Sequence, residues 1–81
     1  MLHELKTTPP YFEAVRNGDK QFEVRKNDRG FKIGDELLLR EWFPNLEDYS
    51  GRTAHRKITY VLQNEKYGIA PGFCVLGLAV L

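Results

Sequence analysis

Eighty-one residues with 42% hydrophobic side chains provide one modest core, so the chain is expected to form a single domain over residues 1–81. The net charge of +1 lacks the overall basic excess of many nucleic-acid binders, and no apolar run approaches the roughly 20 residues needed to span a bilayer. A lone cysteine, Cys74, cannot form an intrachain disulfide, and His3, His55 and Cys74 have no metal-ligand spacing. No metal or other cofactor is expected, and the absence of a signal-peptide core points to a reducing cytoplasm.

Leu2–Lys6 alternates like a strand before Thr7-Thr8-Pro9-Pro10 interrupts it. Proline is tolerated in a first helical turn, and Thr8 is placed to cap one. The expected helix, residues 9–17, has Tyr11, Phe12, Ala14 and Val15 on its apolar side and Asn17-Gly18 as its stop. Gln21–Lys26 follows as a second strand. Its period-two pattern suggests that Phe22 and Val24 enter the core together while Gln21, Glu23, Arg25 and Asn27 share the other face. Asn27, Asp28 and Arg29 then supply turn residues, since Asx side chains close turns through nearby backbone.

A third strand is expected at Glu36–Trp42, after the Gly34-Asp35 turn. Phe43–Gly51, with Pro44, Asn45, Asp48, Ser50 and Gly51, reads as a long exposed loop. Thr53–Gln63 is the fourth strand, with Ile58, Tyr60 and Leu62 on one face and Thr59 and Val61 on the other. A second loop covers Asn64–Gly72. Phe73–Leu81 is apolar throughout and is expected to be a central strand. The pattern is mainly β with one early helix (α+β), for which a small barrel with the helix over one opening is the natural arrangement. An OB-like barrel is the alternative from pattern alone.

Charge is unevenly distributed along the chain. Residues 16–32 carry a balance of +3 and residues 52–57 another +3, whereas residues 35–48 carry −4. This distribution predicts a basic and an acidic face, or else a mixed solvated surface. Within the first basic stretch, Lys20, Glu23 and Arg25 place an amine, a carboxylate and a guanidinium close together. The fork of an arginine suits phosphate or a base edge, and a carboxylate accepts from exocyclic amino groups. The alternative is an exposed ion pair of little energetic consequence.

The spacing Gly18-x-Lys20-x-x-Glu23-x-Arg25 resembles the signature of ASCH domains, small barrels of the PUA-like superfamily associated with RNA. The similarity extends through His3-Glu4-Leu5-Lys6, the helix, Arg25–Arg29, Gly34-Asp35, Glu41-Trp42 and Tyr49-Ser50-Gly51-Arg52. It points to a compact bacterial or phage branch of unknown function. The resemblance implies a PUA-like barrel of five to six strands whose first strand lies beside the motif strand. It also implies a cleft between helix and barrel that takes RNA or a nucleotide-like small molecule.

In that reading Lys20, Glu23 and Arg25 build the cleft, and Lys6, Arg29 and Arg52 add phosphate contacts. Trp42 and Tyr49, with Tyr67, are the aromatics available for base stacking. His3 and Lys6 have opposite parity, so only one can face the cleft, and Lys6 is the better placed. A related amidohydrolase branch carries Thr where this chain has Glu23, which removes its alcohol nucleophile. Catalysis by Lys20 and Glu23 on a modified nucleoside or RNA is therefore the second expectation. A protein-interaction module, using the acidic segment 41–48, is the third.

Overall fold

The structure, a computed structural model, describes residues 1–81, the side chain of Glu65 excepted. Its elements in chain order are β1 (Leu2–Thr7), α1 (Pro9–Arg16), β2 (Phe22–Lys26), β3 (Glu36–Phe43), β4 (Asp48–Leu62), a 3-10 turn at Glu65–Tyr67 and β5 (Phe73–Val80). Thr8 stands at the helix cap in extended conformation, and its carbonyl accepts Phe12 N–H at 2.8 Å. Its hydroxyl makes no capping bond, contrary to expectation. Asn17 closes the helix, and Gly18, at φ 91°, occupies the left-handed conformation that a chain reversal after a helix requires.

The strands form one curled half-barrel sheet in the order β1-β3-β4-β5-β2. Only the β1–β3 pair is parallel. The motif strand β2 thus pairs with β5, and β1 pairs with β3. The two edge strands face each other across an open seam, so the expectation that β1 lies beside β2 holds only through side chains. As expected from its apolar sequence, β5 lies inside the sheet, between β4 and the edge strand β2, although its outward face is not covered. Leu37, Leu39, Ile58, Cys74 and Leu76 fill the concave side, and Phe12 and Val15 of α1 close over it. Burial in this apolar setting raises the pKa of the Cys74 thiol.

Three details depart from the sequence expectations. Residues 43–51 do not form a long loop. β3 and β4 continue to Phe43 and Asp48, which pair with each other, and the turn between them is tight, with Glu47 at φ 49°. The Gly and Asx residues that suggested a loop serve this turn and a bulge, in which residues 50–52 face only Glu41 and Gly51 takes φ 94°. A second bulge separates the pairs Ile58–Leu78 and Tyr60–Gly77. It inverts the alternation, so Ile58 is buried while Tyr60 is exposed, and the two do not share a face.

The third departure concerns β2. Phe22 and Val24 are 44% and 54% exposed, whereas Glu23 is only 3% exposed. The carboxylate points inward and the apolar side chains point out, the reverse of the expected orientation. The concave side opposite β2 is already filled by α1 and the central strands. The remaining space at the sheet edge is polar, and an ion cluster satisfies itself there.

At the opposite end of β1, buried His3 meets Asp35 at 2.9 Å (Nε2 to Oδ2) and packs edge-on against Phe31. The hydrogen bond from His3 is the chief cause of a lowered Asp35 pKa, helped by the N-terminal amine. A depressed carboxyl pKa contributes stability above the unfolded-state value near 3.8 and loses it as pH falls through the folded-state value. Asp35→Asn is therefore expected to unfold at lower urea concentration than the parent at pH 7, with the difference closing below about pH 4. Urea titrations at pH 7, 4 and 2.5 check this; a difference that persists at pH 2.5 assigns the effect to packing.

Candidate functional site

The strand that carries the motif is fixed to the helix before it begins. Lys20 N–H donates to Ala14 C=O at 2.9 Å, and Gln21 C=O accepts Leu78 N–H at 3.0 Å. β2 therefore leaves the end of α1 in a defined orientation. Glu23 lies on its concave face, with both carboxylate oxygens occupied. Lys20 Nζ donates to Oε1 at 2.6 Å, and Arg25 Nε donates to Oε2 at 3.0 Å. Lys20 Nζ also reaches Phe22 C=O at 2.9 Å.

Arg25 does more than neutralise Glu23. Its Nη2 crosses the seam to donate to Lys6 C=O at 2.9 Å and to Thr7 Oγ1 at 3.2 Å. These contacts join the two edge strands where their backbones do not meet. Between them and the first turn of α1 lies a cleft of about 230 Å³. Lys20, Glu23 and Arg25 line it from β2, Lys6 and Thr7 from β1, and Tyr11 from the helix. The uncapped Thr8 hydroxyl belongs to the same wall. Lys6, Lys20 and Arg25 outnumber the single carboxylate, giving the lining a formal charge of +2.

The other expected site residues take different positions. Lys6 places its amine 4.0 Å from the centroid of the Trp42 ring while lining the cleft. Trp42 and Tyr49, a cross-strand pair, contact each other edge-on at 4.8 Å, and Arg40 lies 3.7 Å over Tyr49. Neither ring lines the cleft, and the cations already lie over both. Tyr67 is exposed in the β4–β5 connection.

Arg52 is held by Glu13 at 2.6 Å and stands 3.7 Å from Glu41, tying helix to sheet. Its interaction with Glu13 keeps the guanidinium protonated even more firmly than usual. Arg29 donates to Glu4 C=O at 2.8 Å, a second bridge across the seam. It borders a separate cavity with Lys32 and Asp35. Asn27 has the expected turn role, its Oδ1 accepting Phe31 N–H at 3.0 Å. A larger cavity, about 550 Å³, lies between Gln63 and Phe73, but no charged side chain lines it among the described residues.

Sequence reasoning missed Thr7, Tyr11 and Glu41. Glu41 is buried on the concave side, and its signal was available: Leu37, Leu39 and Glu41 share one strand parity. Thr7 likewise continues the buried series His3 and Leu5. Tyr11 was assigned to the apolar side of the helix, yet it is exposed at the cleft mouth. No periodicity signal separates exposed Tyr11 from buried Phe12 in a helix of eight residues.

The molecule is thus a curled β-sheet with one covering helix and a small cationic cleft at its seam. Residues 2–78 match the family described as domain of unknown function DUF3850, and the chain belongs to that family. It is also 40% identical over 60 residues to an uncharacterized 12.9 kDa protein encoded in the GpA 3′ region of Escherichia phage P2. That alignment covers 74% of this chain and 53% of the phage protein, so the match spans about half the length of this relative. Among the described residues no helix is long and apolar enough to cross a membrane.

The energetic expectation for the centre of the site follows from its burial. Replacing Glu23 by Gln removes the charge that both Lys20 and Arg25 face and leaves one of their donors without a partner. The cost is expected at about 1–3 kcal/mol, above the range of about 0.2–1 kcal/mol for an exposed pair. Chemical denaturation of Glu23→Gln measures it, and a loss below about 0.5 kcal/mol would return the cluster to the status of a surface ion pair.

Proposed function

We propose that this chain binds RNA or a nucleotide-like ligand through the cleft at the β1–β2 seam, and that its half-barrel is a compact variant of the PUA-like, ASCH type. The observation that carries the reading is the buried Glu23 carboxylate gripped by Lys20 and Arg25 at the bottom of a cleft with net positive charge. A fully paired carboxylate fixes two cations in position without cancelling the field of the whole site. Such a site favours an anion, which Lys6, Lys20 and Arg25 Nη1 are placed to meet, since Nε and Nη2 of Arg25 are engaged by Glu23, Lys6 and Thr7.

Its volume sets the size of what enters. About 230 Å³ is below the range of about 300–1,000 Å³ common for drug-sized ligands, so the cleft accommodates one base or one sugar-phosphate unit. Free nucleotides and a single unstacked nucleotide of an RNA chain share this chemistry. Tyr11 takes over the stacking role first expected of Trp42 and Tyr49, since it is the aromatic that borders the cleft. Lys6 and Thr8 supply further polar contacts.

Hydrolysis by Glu23 as general base is the weaker reading. Both of its oxygens already accept from cations, and removing a proton from water would require giving up one of those bonds. No observation favours the protein-interaction reading over nucleotide binding at this cleft.

Titration of nucleoside monophosphates and short single-stranded RNAs at two salt concentrations tests the proposal. Arg25→Ala should weaken all of these ligands and flatten the salt dependence of RNA binding by about one phosphate contact. Glu23→Gln should change the preference among bases more than the general affinity. Absence of measurable binding by the parent protein at low salt refutes the nucleotide reading. A full salt slope in Arg25→Ala would remove that residue from the phosphate contacts.

A further inference from the structure

The outward face of β2, β5 and the last part of β4 is apolar and uncovered. Strand register arranges it in rows. Phe22, Gly77 and Tyr60 form one row, Val24, Val75 and Leu62 the next, and Lys26 stands beside Phe73 in a third. Phe22, Val24, Tyr60 and Phe73 are all exposed. Contiguous apolar surface of this kind marks an interaction site more often than a solvated face.

Charge limits what covers it. The outward positions on these strand segments include Lys26 and Lys57 but no carboxylate. Lys20 Nζ lies 4.9 Å from the Phe22 ring at the rim. Glu36 on β3 stands opposite Lys57 and is hydrogen-bonded to His55. A second copy of this chain would bring lysine rims together, whereas a polyanion meets them favourably.

The centre of the first row is not empty: a Cβ built at Gly77 would approach Thr59 Oγ1 to 3.0 Å and Tyr60 Cβ to 3.4 Å, so side chains of β4 occupy the space that a residue there would fill. Phe22 and Tyr60 stand on strands two spacings apart, roughly 10 Å.

We propose that this outward face is a stacking platform for single-stranded nucleic acid, with Tyr60, Phe73 and Phe22 as base contacts and Lys26 and Lys57 as phosphate contacts. It adjoins the cleft at Lys20 and Val24 but does not depend on the nucleotide reading of that site. Sheet-borne aromatics with basic neighbours bind bases with little sequence preference, because every base has a π-face.

The test uses fluorescence anisotropy with labelled 16-mers of oligo-U and oligo-dT, alongside uridine monophosphate titrated by calorimetry. Phe22 is left unchanged, since its ring lies 4.9 Å from the amine of Lys20, a cleft residue. The double variant Tyr60→Ser/Phe73→Ser is expected to lose about 100-fold in 16-mer affinity, about tenfold per ring removed, while its binding of uridine monophosphate matches the parent. Lys26→Glu, which leaves the aromatic rows intact, should also weaken the 16-mers and reduce their salt dependence. Equal loss for oligo-U and oligo-dT identifies a general single-strand platform, and a loss confined to oligo-U makes it specific to RNA.

If the 16-mers bind the double variant and Lys26→Glu as tightly as the parent, the platform is refuted. It is equally refuted if the parent fails to bind either 16-mer, or if it sediments as a dimer that the double variant dissociates, because a second copy would then cover the face. Failure of uridine monophosphate alone to bind tells against the cleft reading and leaves the platform standing.

Discussion

Arg25 joins what the backbone leaves apart. A half-barrel has two free edges, and here β1 and β2 expose theirs to each other across one seam. Backbone carbonyls along such an edge need partners. Arg25 supplies one to Lys6 C=O and Arg29 supplies one to Glu4 C=O, two residues earlier on the same side of β1. A planar guanidinium with five donors can serve a carboxylate and a carbonyl simultaneously, which an ammonium on a single stem cannot do with the same geometry. Arg25 therefore spans the seam and holds Glu23 with one side chain. The width of the cleft and the position of its charges are set together.

The two buried carboxylates show how position divides their tasks. Glu23 has tight contacts to two cations from its own strand region, and all three side chains line the cleft. Glu41 faces Arg52 at 3.7 Å, while the same guanidinium is drawn closer to Glu13 on the helix. Arg52 also lies 5.2 Å from the ring centroid of Phe12, the fully buried anchor of α1. This second cluster fixes the helix against the sheet. Because Tyr11 precedes Phe12 on that helix, the position of the cleft wall depends on a salt bridge that does not line the cleft.

Much of the architecture was legible in the chain. The helix, its Asn17-Gly18 stop, the presence of five strands and the interior place of β5 follow from periodicity and turn chemistry. The grouping of Lys20, Glu23 and Arg25 was legible from spacing. Their orientation was not, because a short alternating strand has two possible registers and hydrophobicity alone favours the wrong one. Phe22 and Val24 look like core residues only if the face opposite them is solvent. The concave side was already occupied by side chains from distant segments, including Phe12, Leu76 and Phe31, and no local pattern reports that. Sheet order and both bulges are likewise consequences of nonlocal pairing. The turn at 44–47 has the composition of a loop and the geometry of a hairpin, and those two cannot be separated by residue type.

The inverted strand has a consequence for the molecule as a whole. Turning Glu23 inward turns Phe22 outward, so the same five residues supply the charged wall of a cleft and the aromatic edge of an uncovered face. Lys20 sits where these surfaces meet: its amine bonds Glu23 and lies 4.9 Å from the ring centroid of Phe22. In an expected core orientation, Phe22 and Val24 would have been hidden and the ion cluster would have been a weak surface feature. Burying the ions instead places their hydrogen bonds in a lower dielectric, where each depends more strongly on the others. It also leaves apolar surface in water, which is unfavourable for an isolated domain and reasonable for one that meets a partner there. The polar interior and the apolar exterior of β2 are therefore one choice of register with two chemical results.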